Sequence, residues 1–318
     1  MSRVAFIFPG QGSQSVAMGQ ALAAASPAAA RVFAAADDAL GEPISRLAWE
    51  GPAEELDRTE NAQPALLATS IAYLEALRER WGADAADPAW AAGHSMGQYS
   101  ALVAAGVVDL GDAVRLVRER GRRMQASGSG RDGAMAAILG LDEDRLPDLV
   151  AEASTNGIFG VANRNAPGQV VVSGERAAVE AAAEIAKRLG ARKVVVLPVS
   201  VAAHSPLMAE AAEGMREVLA RVAFRDPRPP LLANRDARSL TTGDDARNEL
   251  VEHLTAGVDW VAIVGRMTAE GVTTFIEVGP GRVLTGLIKR IAPDAEALAL
   301  DDPAASDRLL VPSTAARA

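Results

Sequence analysis

Five residues, Gly93-His94-Ser95-Met96-Gly97, stand between the apolar stretch Ala89 to Ala92 and the helix-prone run Gln98 to Ala105. Strand, G-x-S-x-G and helix in that order predict a nucleophile elbow, a sharp turn that lifts a serine hydroxyl above the end of a sheet. The flanking glycines let the backbone turn that tightly. The next N–H, on Met96, would stand at a helix N-terminus, where developing negative charge is stabilised. An elbow needs a strand within a sheet and a helix packed against it, which restricts the chain to α/β architectures.

The rest of the pattern agrees. Val4 to Phe8 reads as a strand, Ala62 to Trp81 as a long helix, and 98–105 and 110–126 as two more. This is the rhythm of a parallel sheet with helices on both faces. It breaks at Ser127-Gly128-Ser129-Gly130-Arg131-Asp132-Gly133, a linker by composition. Six elements follow: strand Ala134–Gly140, helix Glu143–Ser154, strands Ile158–Asn163 and Gln169–Ser173, helix Glu175–Leu189 and strand Arg192–Val199. Their β-α-β-β-α-β order is that of a ferredoxin-like unit. Beyond it come helices near 206–221 and 244–256, the strand Thr274–Val278, the loop Gly279-Pro280-Gly281, and a loose tail over 301–318. We therefore expect an α/β, hydrolase-like large domain from residues 1–128 and 199–318, with a ferredoxin-like small subdomain, 129–198, inserted in it. The cleft should lie where the two meet.

Composition removes several function classes. Cysteine is absent from all 318 residues, so thiolate catalysis, disulfides and thiolate metal sites are excluded. A net charge of −9 and 4% aromatic residues argue against a nucleic-acid partner. No apolar run reaches the roughly 18–20 residues of a membrane span, and the N-terminus enters a strand at once, so we expect a cytoplasmic protein. Gly10-Gln11-Gly12 lacks the third glycine of a dinucleotide fingerprint, and Gly279-Pro280-Gly281 lacks the lysine and hydroxyl of a P-loop. No spacing of histidine and carboxylate suggests a metal. The basic pairs Lys187-Arg188 and Lys289-Arg290 stand against this acidic background either as solvated faces or as docking points for an acidic partner.

An activated serine needs a base, usually histidine, and the chain has three. His94 adjoins the serine at a strand end, where neighbours point to opposite faces, so it should pack under the elbow. His204 follows a strand and precedes a helix, where catalytic groups collect, and is the expected base. His253 lies inside a predicted helix, a setting that is more often structural.

Arg120 is out of place. Leu110, Ala113, Val114, Val117 and Met124 form the apolar stripe of a buried helix face, from which Arg115, Arg118, Arg122 and Arg123 should project away. Arg120 alone sits at its edge. A guanidinium cannot deprotonate to escape burial. It needs either an internal Asp or Glu or the carboxylate of a substrate, gripped in bidentate fashion.

Further motifs occur in order: Phe8-Pro9-Gly10-Gln11-Gly12-Ser13-Gln14, Gln63-Pro64-Ala65-Leu66, the elbow, Arg120-Gly121, Val161-Ala162-Asn163 with Pro167-Gly168-Gln169, Ser200 to His204, and Glu277-Val278-Gly279-Pro280-Gly281. Over roughly residues 3–293 the chain resembles the malonyl-CoA:acyl-carrier-protein transacylases and the acyltransferase domains of polyketide and fatty-acid synthases. The resemblance implies ping-pong transfer of a malonyl group from coenzyme A, through Ser95, to the phosphopantetheine thiol of acyl carrier protein, with fatty-acid biosynthesis as the setting. It also implies His204 as base, Arg120 as carboxylate clamp, and an oxyanion hole from the Gln11 and Met96 N–H groups. His94, Gln63, Asn163, Ala203 and His253 would line or orient the pocket. No cofactor is implied, coenzyme A arriving as the substrate thioester, and a monomer is expected.

Three positions depart from the family's usual pattern. Gln98 stands where glutamate is common, and little effect on the chemistry is expected. His253 stands where bacterial members usually have glutamine; the main-chain carbonyl there orients the catalytic histidine. Ala203 stands where malonyl-selective polyketide domains tend to carry phenylalanine, which leaves room for a methylmalonyl branch. The rival readings are a trans-acting polyketide acyltransferase, a serine esterase, and a non-catalytic docking subunit. An esterase would place an acid between serine and a late histidine, and would have no use for Arg120.

Overall fold

A computed structural model describes residues 3–82, 88–128, 132–197, 199 and 201–300. Part of the expected linker (129–131), Pro198 and Ser200, and the expected tail lie outside the described residues. Strand β1 (Arg3–Phe8) is followed by helices α1 (Gln20–Ala25), α2 (Pro27–Leu40), α3 (Ile44–Glu50), α4 (Ala53–Leu56) and α5 (Thr59–Trp81). Strand β2 (Trp90–Gly93) ends at the elbow, and α6 (Gly97–Ala104) and α7 (Leu110–Gly128) follow. Next come β3 (Gly133–Leu139), α8 (Leu146–Ala153), β4 (Phe159–Ala166), β5 (Gln169–Glu175), α9 (Arg176–Arg188) and β6 (Lys193–Val196). The remaining elements are α10 (Ala209–Leu219), β7 (Leu231–Leu232), β8 (Ser239–Leu240), α11 (Gly243–Thr255), β9 (Val258–Asp259), α12 (Trp260–Ala269), β10 (Val272–Glu277), α13 (Val283–Ile291) and β11 (Glu296–Ala299).

One sheet has the order β11-β10-β1-β2-β7-β8. It is parallel from β11 to β7, and β8 runs against β7. The central strand shows why both faces must be covered. Phe6 and Phe8 point into a core with Phe33, Leu66 and Val117, whereas Ala5 and Ile7 point into another with Trp260, Ile263 and Met267. Alternate side chains of an extended strand leave on opposite sides, so an apolar run of this kind calls for helices above and below.

The second sheet has the order β6-β3-β5-β4-β9, and its first four strands are antiparallel in the ferredoxin-like arrangement. Its fifth strand, β9, joins β4 in parallel through Asn163 and Val258. A two-residue strand carries no periodicity, so nothing in the sequence announces it. Ala136, Ile138, Val170 and Val172 pack under α8 and α9, while Met135, Ala162 and Val171 face the other way and meet Ala203. Ala203 also touches the large core, which puts it at the junction of the two sheets.

The expected helix over 143–154 begins instead as a 3-10 turn, Glu143–Arg145, before α8. Pro147 suits the first turn of a helix, where its missing N–H is not needed. Helices α1 to α4 have no counterpart in the sequence reading. The second of them is set by its ends: the Ser26 hydroxyl accepts from the Ala29 N–H at 3.1 Å, Pro27 follows, and Gly41 closes the helix with φ 67°.

Candidate active site

Backbone crowding dictates the elbow. Ser95 has φ 53°, a left-handed conformation that a serine adopts only where its surroundings impose it. A Cβ on Gly93 would lie 1.9 Å from the Gly97 carbonyl carbon, and one on Gly97 would lie 2.2 Å from Phe8 O. Neither position accepts a larger residue. Gln98 clamps the turn, its Oε1 accepting from the Gly93 N–H at 3.0 Å and its Nε2 donating to Leu232 O at 2.9 Å. Asn234 closes it from the other side: Oδ1 accepts the Ser95 N–H at 2.8 Å, and Nδ2 donates to Gly93 O at 2.9 Å.

His204 meets the serine. Its Nε2 is 2.7 Å from Ser95 Oγ. Its Nδ1 lies 2.6 Å from His253 O and 3.2 Å from Ala256 O, and since a carbonyl only accepts, Nδ1 must carry the hydrogen. That leaves the Nε2 lone pair free to take the serine proton. Burial, followed by the neighbouring His253 and Arg120, pushes His204 down to about 3. His94 turns the other way, as expected: its Nε2 is 2.9 Å from Asn165 Oδ1, and its ring packs against Trp260. The bond to Asn165 ties the elbow to β4, so the serine sits where the two sheets approach.

Arg120 also reaches the serine. It is 1% exposed, and its Nη2 donates to Ser95 Oγ at 3.2 Å and lies 3.4 Å from His253 Nε2. Its guanidinium carbon lies 5.9 Å from the centre of the Tyr99 ring. No carboxylate pairs with it among the described residues, and its Nε has no acceptor. One expectation from the same helix is corrected. Arg118 does not project away but is 6% exposed, its Nη2 donating to Glu42 at 2.9 Å and its Nη1 to Asn61 Oδ1 at 2.5 Å. A stripe drawn from apolar residues cannot show that α5 and the loop after α2 bring Asn61 and Glu42 over this part of the helix.

The acyl transferase domain model matches residues 5–300. Malonyl CoA-acyl carrier protein transacylase of Bacillus subtilis (strain 168) is 45% identical over 304 residues, which cover 95% of this chain and 95% of that protein. The chain belongs to the acyl transferase family. Two solved structures have the same fold as this acyl transferase. An acyl carrier protein S-malonyltransferase from Vibrio cholerae matches with TM-score 0.93 and 40% identity, over 97% of this chain and 100% of that one. A malonyl-transacylase in complex with a type II polyketide-synthase acyl-carrier protein matches with TM-score 0.93 and 42% identity, over 97% and 99%.

The other expected residues of the acyl transferase are placed as follows. Gln63 is fully buried, its Nε2 3.7 Å from the Met124 sulfur. Asn163 is buried in β4 at the pairing with β9, and the contact with His94 comes from Asn165, two residues on. Gln11 is exposed and donates through Nε2 to Thr59 Oγ1 at 3.3 Å. Sequence reasoning missed Asn165, Asn234 and Glu249. Asn234 could have been noticed as a polar residue just past a short apolar strand, and Glu249 as the i−4 neighbour of His253 on a helix. Among the described residues no helix is long and apolar enough to cross a membrane, and no three His, Cys, Asp or Glu side chains gather as a metal site would require.

Proposed function

We propose that the protein is an [acyl-carrier-protein] S-malonyltransferase, moving a malonyl group from malonyl-CoA to the phosphopantetheine thiol of acyl carrier protein. Ser95 Oγ attacks the thioester carbonyl while His204 Nε2 takes its proton. The oxyanion collapses, the carbon–sulfur bond breaks, and the coenzyme A sulfur leaves with that proton. The carrier thiol then attacks the malonyl-serine ester, His204 taking the thiol proton and returning it to Ser95 Oγ. Thioester exchange is nearly balanced, so the work lies in lowering the barrier and keeping water out. Every group it uses is a side chain or a backbone N–H, and in this reading no cofactor takes part.

The observation that carries this reading is a buried Arg120 beside the reacting hydroxyl with no carboxylate of its own among the described residues. The same observation disfavours an esterase, because an unpaired buried guanidinium has no use with a neutral ester. For the oxyanion hole we propose the Gln11 and Met96 N–H groups. In support, neither makes a hydrogen bond among the described residues, and the loop after β1 rests on the elbow, a Cβ on Gly10 falling 2.5 Å from His94 O. Each such donor contributes about 3–4 kcal/mol.

Residues 129–198 are read as the small subdomain, and 1–128 with 199–318 as the large one. Lys187, Arg188, Lys289 and Arg290 are proposed to receive the carrier protein. All four are exposed, and both pairs stand beside one end of the second sheet. The α9 C-terminus leads to Arg192, whose N–H bonds Leu139 O, and Gly140 bonds Gly168 of the β4–β5 turn. Arg290 reaches the same turn at Pro167 O and Gln169. Fatty-acid biosynthesis is the proposed setting, in a cytoplasmic monomer, with polyketide supply the less favoured reading. Malonyl is the proposed acyl group, and tolerance of methylmalonyl is proposed from the small side chain of Ala203.

The test is mass measurement after incubation with malonyl-CoA. One malonyl group should appear on the protein, be absent from Ser95→Ala, and discharge when holo acyl carrier protein is added. An unlabelled Ser95 would favour a docking subunit, and fast p-nitrophenyl acetate turnover with no malonyl transfer would favour an esterase.

A further inference from the structure

His253 enters the chemistry above through its main-chain carbonyl, yet its side chain is fully buried between Arg120 and Glu249. Nε2 lies 3.4 Å from Arg120 Nη2, and Nδ1 faces Glu249 Oε1 at 3.6 Å, one turn back on α11. A guanidinium only donates, so Nε2 must hold the lone pair and Nδ1 the hydrogen. At 3.6 Å the Nδ1 contact is electrostatic rather than a hydrogen bond. Burial and the Arg120 charge hold the ring well below the ordinary histidine range, so it is neutral and able to accept. Glu249 Oε1 also accepts the Asn234 N–H at 2.6 Å, and the Asn234 side chain holds the Ser95 N–H.

We propose that the His253 side chain is a positioning residue for the carboxylate clamp: its Nε2 accepts from Arg120 and sets the guanidinium beside Ser95 without neutralising it, while Glu249 selects the tautomer. The inference rests on the malonyl-transfer reading. Its logic is electrostatic. A carboxylate in this place would hold Arg120 but cancel the charge that the substrate must meet, and an apolar side chain would leave the guanidinium one acceptor short and unheld. A neutral acceptor avoids both. Because Glu249 also anchors Asn234, the clamp and the elbow hang from one buried carboxyl group and keep their spacing together.

The test compares His253→Leu, which keeps the main-chain carbonyl for His204, with His253→Gln, whose side-chain oxygen can accept. His253→Leu should raise the malonyl-CoA KM about tenfold, the cost of one hydrogen bond to a charged group, with a smaller change in kcat. Acetyl loading of Ser95, which makes no use of the clamp, should fall far less than malonyl loading, and His253→Gln should recover most of the malonyl loss. An unchanged KM, malonyl and acetyl loading falling together, or no rescue by glutamine would each overturn the proposal. Imidazole ¹⁵N spectra of the unaltered protein, with only three histidines to assign, supply a second measurement that needs no variant to fold. They should show His253 protonated at Nδ1 and not Nε2, and the reverse would overturn it. If the unaltered protein accepts no malonyl at all, the function reading fails instead; normal loading with an indifferent His253→Leu removes only this inference.

Discussion

Arg120 Nη2 donates to Ser95 Oγ across 3.2 Å, and no carboxylate among the described residues balances the charge that makes this bond. Arg118, two residues earlier on the same helix, is buried too but has Glu42 and Asn61. The difference separates an arginine with a carboxylate partner inside the fold from one that has none among the described residues. Folding bears the cost of burying Arg120, and a bound carboxylate would recover it.

Arg120→Ala should therefore lose malonyl transfer and gain acetyl transfer. Truncating one partner of a buried charge pair costs about 2–5 kcal/mol, so malonyl kcat/KM should fall by at least tenfold. Competition between malonyl-CoA and acetyl-CoA for Ser95 labelling reads this directly. An unchanged malonyl preference would mean that the arginine serves an internal partner.

The rate of Ser95 malonylation should stay flat from neutrality to well below the ordinary histidine value of about 6.5. Burial, His253 and Arg120 push His204 down to about 3, and only beneath its own folded value is it protonated and unable to accept. The acid limb of kcat/KM, which reports the free enzyme, should sit there and move upward in Arg120→Ala, where one positive neighbour is removed. A wild-type limb at the ordinary value would contradict this environment for the base.

Glu249 should make stability fall as pH rises. Burial pushes its carboxyl from 4.5 up to about 7, so in that window the folded chain keeps a proton that the unfolded chain releases. The contribution is complete below the unfolded value and lost progressively through the folded one, to about 3 kcal/mol. Glu249→Gln cannot ionise but still offers Oε1 to the Asn234 N–H. Denaturant titrations on either side of the window should show the variant gaining on the wild type as pH rises. A difference that does not change with pH would mean the carboxyl titrates normally.

Asn234→Ala should loosen the elbow. It orphans the Ser95 N–H and Gly93 O, two buried backbone groups, at about 2–4 kcal/mol. Thermal unfolding and the transfer assay together give the signature: a lower melting point and a lower kcat, with the malonyl-CoA KM nearly unchanged.

Charge reversal at Lys187 and Lys289 should raise the apparent KM for acyl carrier protein and leave the malonyl-CoA half-reaction untouched. These two are better choices than Arg290, which also braces Pro167 and Gln169. Identical carrier kinetics would remove this face from the docking surface.

The elbow was legible in the sequence because its turn is encoded within five adjacent residues and the strand and helix that flank them. His204 was legible by elimination among three histidines, and the parallel and ferredoxin-like sheets by the order of apolar runs. The helices between β1 and α5 were not: α1, α3 and α4 have only 6, 7 and 4 residues, too few for a period to show, and the buried face of the longer α2 is mostly alanine (Ala28, Ala29 and Ala36 beside Val32 and Phe33), which makes a faint stripe. Neither was the burial of Arg118, because one helix face seen alone says nothing of a second neighbour.

What the sequence by itself determined is the local chemistry: a strained turn that presents a hydroxyl, a histidine after a strand, and an arginine at the edge of an apolar stripe. Only the tertiary structure decided that these converge, that Asn234 and Gln98 brace the turn, and that Arg120 meets a neutral His253 instead of a carboxylate. The reason is physical. Turn geometry and periodicity follow from covalent neighbours, whereas the support of a buried charge or of a strained turn depends on which side chains, 133 and 139 positions away, the closed fold brings within hydrogen-bond reach.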